Sequence, residues 1–417
     1  MKEFFNISTE TLALADKVEQ SLEKKFKEID KITQYNQNKV LKAFIDNQVS
    51  EACFSTTYGY GYSDKGRDTL EAVFAQIMGC EDAIIRHAFV SGTHTISVAL
   101  FGLLRPNDTL LSVAGMPYDT LRGVIGITET KGSLKEFGVN YDQIDLTPDG
   151  TVDYSALEDR LKKEFVKIAY IQRSRGYETR PSLTIAEIEK ITSLVKRVSP
   201  ETIMMVDNCY GEYVEYDEPT DVGADIIMGS LIKNPGGGIA PTGGYIAGKR
   251  ELVELCAARL TAPGIGKEIG ASLGNNRELF LGVFSAPHVV GEALKTAVFA
   301  SALFEELGYT VTPKSDEKRT DIIQTVILNS AENLVSFCQG LQKGMPVEAF
   351  VCPEPWDMPG YTDPVIMSCG AFTAGATIEL SADGPLRPPY AAWMQGGLNY
   401  HSAKTGILLG IEAMKKN

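Results

Sequence analysis

The sequence predicts an α/β protein, with a mainly parallel sheet flanked by helices and a smaller α+β domain toward the C-terminus. Three observations predict it. From residue 82 to about 247, short apolar runs alternate with amphipathic stretches, the pattern of strands joined by crossover helices. Two of these runs end in a reactive side chain, Asp207 and Lys233. Beyond residue 275 the alternation gives way to one long helical stretch and then to mixed short segments. A chain of 417 residues has room for two or three lobes.

The first segment, 1–50, reads as a helical arm. Ser8-Thr9-Glu10 is a start signal, and apolar residues recur at helical spacing as far as Phe44 and Ile45, so a helix is expected over 8–47. The large domain, 51–275, opens on Tyr58-Gly59-Tyr60-Gly61-Tyr62 and a helix expected over 68–78. Its strands are expected at 109–113, 166–171, 203–206 and 226–228, with an amphipathic helix at 185–198. Ligands of such a sheet bind beyond the carboxyl ends of its strands, and Asp207 and Lys233 fall there. The last domain, 276–417, carries a linking helix at about 292–307 that stops at Gly308. Strand-like segments follow at 309–312, 322–328, 365–367 and 376–380, with a helix at 331–343 and another at the C-terminus.

Composition narrows the classes. Hydrophobic residues make up 44% and charged residues 23%, as in ordinary globular chains. A net charge of −14 argues against a nucleic-acid partner. No stretch is long enough to span a bilayer, and the charged N-terminus lacks the apolar core of a signal peptide. Seven cysteines, with no CxxC pair, point to reduced thiols in a cytoplasmic protein rather than to a disulfide or zinc framework. His87, His94, His288 and His401 are scattered and form no metal-ligand cluster, so no metal is expected.

Lys233 sits between Ala224-Asp-Ile-Ile-Met-Gly-Ser-Leu-Ile232 and Asn234-Pro-Gly-Gly-Gly238, a poor place for a surface lysine. A lysine amine there can form a Schiff base with an aldehyde cofactor and serve as the base at a substrate Cα. Asp207 closes Thr202-Ile-Met-Met-Val206, where an acid is costly unless paired. A protonated pyridine nitrogen would pair it, and the two residues together ask for pyridoxal 5'-phosphate (PLP). The competing reading of Asp207 is a helix cap. Ser91-Gly92-Thr93-His94 opens an apolar helix whose free N–H groups suit a phosphate, though the same pattern also serves as a plain cap. Ser230 adds a hydroxyl three residues before the lysine. His94 and Tyr118 are candidates to stack on the cofactor ring, or are satisfied structural residues. Tyr58, Tyr60 and Tyr62 are either packing or a loop that reaches a phosphate or substrate, in this or a neighbouring subunit. Arg387, Arg173 and Arg175 compete to grip a substrate carboxylate bidentately, against the alternative of ordinary ion pairs.

Taken together, Asp-Asn-x-Tyr at 207–210 and Ser-x-x-Lys at 230–233 resemble the cystathionine and methionine-metabolism family of fold-type I PLP enzymes. Four further segments resemble its branch of methionine gamma-lyase-like, aluminium-resistance carbon–sulfur lyases: 61–67, 91–94, 172–177 and 379–390. The resemblance spans essentially the whole chain. It implies a mainly parallel seven-stranded sheet, PLP held as a Schiff base on Lys233, and Asp207 facing the pyridine nitrogen. It assigns the phosphate to Gly92, Thr93 and Ser230. It also implies that Tyr60 acts across the interface of a homodimer or homotetramer with shared active sites. The implied activity is α,β- or α,γ-elimination from an amino acid such as cystathionine, methionine or cysteine. The chain departs from the wider family in four places. Ile232 replaces a threonine before the lysine, and Tyr60-Gly61-Tyr62 lacks the phosphate arginine, for which Lys65 or Arg67 are substitutes. The family's ring-stacking tyrosine falls near Ala114, and no carboxylate arginine precedes the last helix in 403–407, which moves that role to Arg387. Other PLP chemistry, such as aldol cleavage, and a PLP-binding stress or regulatory protein with little turnover remain rival readings.

Overall fold

The structure, a computed structural model, describes residues 2–176, 178, 180–358 and 363–416. Tyr177, the last residue of the 172–177 motif, lies outside the described residues. The chain divides into two compact units, 36–284 and 1–35 with 285–417.

The N-terminal stretch forms two helices rather than one, α1 (Thr9–Ser21) and α2 (Glu23–Asp46). The break is at Leu22, whose N–H turns back to the Glu19 carbonyl in a tighter turn before Phe26 resumes the helical ladder on the Leu22 carbonyl. Ser8 caps α1 by accepting from the Thr11 N–H.

In the 36–284 unit, α3 (Lys65–Ile77) leads into β1 (Asp82–Arg86), α4 (Gly92–Leu103), β2 (Thr109–Ser112) and α5 (Asp119–Ile125). Next come β3 (Asn140–Gln143), α6 (Tyr154–Lys163), β4 (Ile168–Gln172), α7 (Ile185–Val198), β5 (Ile203–Asp207), β6 (Ile226–Ser230), β7 (Gly244–Gly248) and α8 (Arg250–Leu260). The strands make one seven-stranded sheet in the order β1-β7-β6-β5-β4-β2-β3. Only β7 runs against its neighbours, pairing antiparallel with both β1 and β6. Ile168, Tyr170, Ile203, Met205, Ile226 and Met228 face a core shared with α4 and α8. The alternate residues Ala169, Ile171, Met204, Val206 and Ile227 are buried as well. Both faces are therefore covered, which is why these strands read as unbroken apolar runs rather than as alternating ones.

The other unit is built around α9 (Asn276–Glu306), which begins earlier than expected and runs through Pro287. A mid-helix proline costs about 3 kcal/mol. Residues Val289, Val290, Ala293, Leu294, Ala297 and Val298 are buried on its far side, and that burial outweighs the lost hydrogen bond. A five-stranded sheet follows, built from β8 (Thr310–Thr312), β9 (Gln324–Ile327), β10 (Val365–Ser368), β11 (Ser381–Pro385) and β12 (Ala391–Gln395), all in antiparallel pairs. It packs with α10 (Ala331–Gln342), and α11 (Tyr400–Met414) closes the chain. The strand expected at 376–380 is displaced to Ser381–Pro385. Gly375 takes a positive φ of 117°, and the Glu379 carboxylate accepts the Phe372 and Thr373 N–H groups, which makes a turn where alternation suggested a strand. Within this unit α1 packs on α11, with Ser8 and Thr11 donating to Glu412 and Lys404 paired to Glu19.

Candidate active site

Three adjacent parallel strands end together. Gln172 is the register partner of Asp207, and Asp207 that of Met228. Ser230 closes β6 two residues later, and Lys233 follows on a short turn whose next residues are Asn234 and Pro235. The acid, the lysine and the Ser230 hydroxyl thus share the carboxyl edge of one sheet.

Asp207 is buried. Its Oδ1 accepts the Cys209 N–H at 3.1 Å, and the Tyr170 hydroxyl lies 3.5 Å from Oδ2. Burial pushes its carboxyl upward, against the hydrogen bonds from Cys209, the Lys233 charge and the Tyr170 hydroxyl. A buried acid in this condition fits a cationic ring nitrogen. Burial and the Asp207 charge also push the Cys209 thiol well up, so it stays neutral and is no nucleophile.

Lys233 is half-buried. Its Nζ donates a hydrogen bond to the Tyr210 hydroxyl and lies 3.7 Å from the centroid of the Tyr210 ring. Burial pulls the amine's proton affinity down. Tyr210, Cys209 and Asp207 together outweigh it, and the net direction is up.

The start of α4 lies against the same edge, beside Ser230. Ser91 caps α4 by accepting the His94 N–H at 3.0 Å. A Cβ on Gly92 would come within 3.4 Å of the Ser230 Cβ and 3.7 Å of the Cys209 Sγ, so glycine keeps the start of the helix open beside Ser230. The Thr93 hydroxyl lies 3.0 Å from the hydroxyls of Tyr118 and Thr120. The Tyr118 N–H is fixed by the Gln172 amide oxygen at 2.8 Å. Burial, with the nearby Asp207 charge, pushes the Tyr118 phenol up, so it stays protonated. The His94 ring turns back on its own turn, where Nδ1 accepts the Val90 N–H at 3.2 Å and the ring meets Phe89 edge-on. The His94 ring is thus engaged within its own turn, while the Tyr118 hydroxyl meets Thr93. These residues fit PLP.

The arginines separate by environment. Arg173, one of the three candidates to grip a substrate carboxylate, is fully buried. Its guanidinium donates to the Asn208 Oδ1 at 2.8 Å, the Gly211 carbonyl at 3.0 Å and the Glu215 carboxylate at 3.2 Å, with Glu218 at 3.9 Å. A Cβ on Gly211 would lie 2.5 Å from this guanidinium, so the glycine makes room for it. Arg175 is also buried, with its backbone N–H and Nε on the Ser182 hydroxyl at 3.1 and 3.4 Å. Arg387 is in the other unit, 54% exposed and paired with Asp363 at 3.1 Å. Arg67 is buried too. It donates to the Gly61 carbonyl at 2.7 Å and the Gly270 carbonyl at 3.0 Å. The 61–67 motif is thus largely a brace for the tyrosine segment, with Asp64 capping α3. Tyr60 is 70% exposed, and its ring neighbour is Tyr62 at 5.6 Å.

Tyr210 and Gln172 stand in the motif segments but were given no role by sequence reasoning, and Glu212 was not singled out. Glu212 is buried, accepts the Tyr245 hydroxyl at 2.7 Å on Oε1 and has no partner on Oε2 among the described residues. Burial pushes its carboxyl up to about 8. The folded chain then holds a proton that the unfolded chain releases above about 4.5, so Glu212 lowers stability as pH rises between these values. Glu212→Gln removes that share. Melting temperatures at pH 5.5 and 8 should show a shallower decline in the variant, and a gain at pH 8 of order 2 kcal/mol. Equal declines in the two proteins would refute the assignment.

A sequence model of the family described as "Methionine gamma-lyase" matches residues 11–415. YnbB of Bacillus subtilis, an uncharacterized protein, is 49% identical over 390 residues, covering 93% of this chain and 92% of that protein. A crystal structure of a carbon–sulfur lyase involved in aluminum resistance from Clostridium novyi superposes with a TM-score of 0.95 at 49% identity, covering 98% of this chain and 97% of that one. At 15% identity and a TM-score of 0.62, the PLP-dependent protein YhfS from Escherichia coli shares the fold, covering 93% of this chain and 97% of its own. Among the described residues, no helix is long and apolar enough to cross a membrane, and no cluster of three or more His, Cys, Asp or Glu could hold a metal ion.

Proposed function

The chain belongs to the methionine gamma-lyase family, and from that premise we propose that it cleaves the carbon–sulfur bond of a sulfur amino acid with PLP. The observation that carries this reading is the juxtaposition of buried Asp207 and half-buried Lys233 at the ends of adjacent strands β5 and β6. When bound, PLP supplies an electron-accepting ring that stabilises negative charge at the substrate Cα. Lys233 would hold it covalently through Nζ. Asp207 would keep a proton on its ring nitrogen, Tyr118 would cover a ring face, and Gly92, Thr93 and Ser230 would take the phosphate.

The chain's own residues then divide the work. The Lys233 amine would take the proton from the substrate Cα. The Tyr118 phenol, kept protonated by burial, can give its proton to the departing sulfur. Arg387, the exposed member of the arginine set, is the candidate grip for the substrate carboxylate, with Arg175 as the second choice. Tyr60 acts in the site of a second copy, which makes the working form a homodimer or homotetramer. The compartment is the cytoplasm.

The test is product analysis of the PLP-loaded protein with cystathionine, methionine and cysteine. Release of pyruvate with a thiol or sulfide establishes β-elimination, and 2-oxobutyrate establishes γ-elimination. Cleavage of β-hydroxy amino acids to glycine and an aldehyde would replace the lyase reading with an aldolase one. Tight PLP binding with no turnover on any of them would favour a regulatory role.

A further inference from the structure

We propose that Tyr210 is a positioning residue that holds the Lys233 amine at the sheet edge whenever that lysine carries no covalent bond. The inference rests on the reading of Lys233 as the cofactor lysine. Two contacts to one amine carry it: the hydrogen bond from Nζ to the Tyr210 hydroxyl and the approach of Nζ to 3.7 Å from the ring centroid. The first fixes direction, and the second gives the cation a favourable surface on which to rest.

The backbone gives an independent argument. Tyr210 has a positive φ of 70°, a conformation that bulky residues rarely adopt and that costs about 1–3 kcal/mol. A glycine or asparagine would take that turn more easily. The strain is sustained from both sides. Asn208 is anchored by Glu218 at 2.9 Å and by Arg173 at 2.8 Å, and Arg173 also holds the Gly211 carbonyl. The Asn208 N–H is held by the Met228 carbonyl of β6, the strand that leads to Lys233. Arg173 and its acids therefore form a buried frame that aims the tyrosine at the lysine, which gives this arginine a purpose other than substrate binding.

Among the groups that act on the amine are Tyr210 and Cys209 from the loop after β5 and Asp207 from the strand itself. Burial draws the amine's proton affinity down, and these three raise it. Loss of the Tyr210 hydroxyl removes one of the upward contributions, so Lys233 becomes less basic. A tyrosine that merely packs would not have this effect.

The experiment follows acetylation of Lys233 by trace acetic anhydride against pH, read by peptide mass spectrometry on the cofactor-free full chain. Wild type is compared with Tyr210→Phe and, as a second way of removing the phenol, Tyr210→Leu. PLP uptake is followed in parallel by visible absorbance. The half-point of labelling should move down by about one pH unit in both variants, a roughly tenfold rise in reactivity at a fixed pH below it. In the loaded enzyme kcat should fall about tenfold with KM nearly unchanged. Coincident labelling profiles in a protein that takes up PLP overturn the role of Tyr210 alone. A wild type that takes up no PLP overturns the cofactor reading and the positioning role with it.

Discussion

Lys233→Ala should give a folded protein that fixes no cofactor on borohydride reduction and loses at least about 10⁴-fold in elimination rate. Wild type, loaded with PLP, should show a visible band that borohydride bleaches and a reduced cofactor carried on the peptide containing Lys233. The expectation follows from two jobs placed on one amine. On the proposed reading the lysine is the covalent anchor and also the base that takes the substrate Cα proton. General-base catalysis alone contributes about 10²–10⁴-fold, and loss of covalent orientation adds to that. The fold should survive, because Lys233 is half-buried on a turn and takes no part in the sheet ladder. Small primary amines should restore a fraction of the rate by replacing the missing base. If the variant kept the borohydride-sensitive band, another lysine would be the anchor, and the pairing with Asp207 would lose its meaning.

The central sheet was legible because its chemistry is written in local sequence. Residues 168–172, 203–207 and 226–230 are buried on both faces, and such strands must be apolar throughout. The helix expected at 185–198 is matched by Ile185–Val198, where Thr184 and Glu187 form a full capping box. The edge strand β3, Asn140–Gln143, was not legible, since it is polar and partly exposed and lacks any apolar run. The antiparallel return of β7 was also hidden. Gly244–Gly248 is short and follows a glycine-rich turn, and strand direction is set by the path of the chain rather than by composition.

At the site, charged residues next to apolar runs were visible and their orientations were not. The strand ends at Asp207 and Ser230 and the helix start at Gly92 could be placed because local sequence sets where such elements begin and stop. Arg173 sits at a strand end as well, yet its guanidinium is turned inward by Glu215, Glu218 and Asn208, residues 35 to 45 positions away. No local pattern encodes that turn. The same is true of Tyr210, whose aim depends on a left-handed backbone that the sequence Asn-Cys-Tyr-Gly does not announce. Arg67 reads as a phosphate ligand by charge and acts as a brace by geometry.

Asp207→Asn separates stability from function with effects of opposite sign. In the cofactor-free chain, Asp207 is a buried acid whose carboxyl is pushed up by burial. Its folded proton affinity exceeds its unfolded one, so its contribution to stability falls as pH rises above the ordinary aspartate range. The asparagine amide is nearly the same size, can still accept from the Cys209 N–H and carries no charge to desolvate. The cofactor-free variant should therefore melt no lower than wild type at pH 8, and higher by the equivalent of about 1–2 kcal/mol. Catalysis should move the other way. A neutral amide cannot hold a proton on the ring nitrogen, and losing a preorganised charge at the point where electrons accumulate costs about 10²–10³-fold or more in turnover. PLP should still attach to Lys233, because that bond does not depend on Asp207. A variant within tenfold of wild-type turnover would remove the pairing of Asp207 with the ring. A variant that unfolds at pH 8 would show instead that Asp207 is held for the fold, through Cys209 and Tyr170, and not for the reaction. The predicted pattern, more stable and nearly inactive, is what a carboxylate kept buried for its chemistry should give.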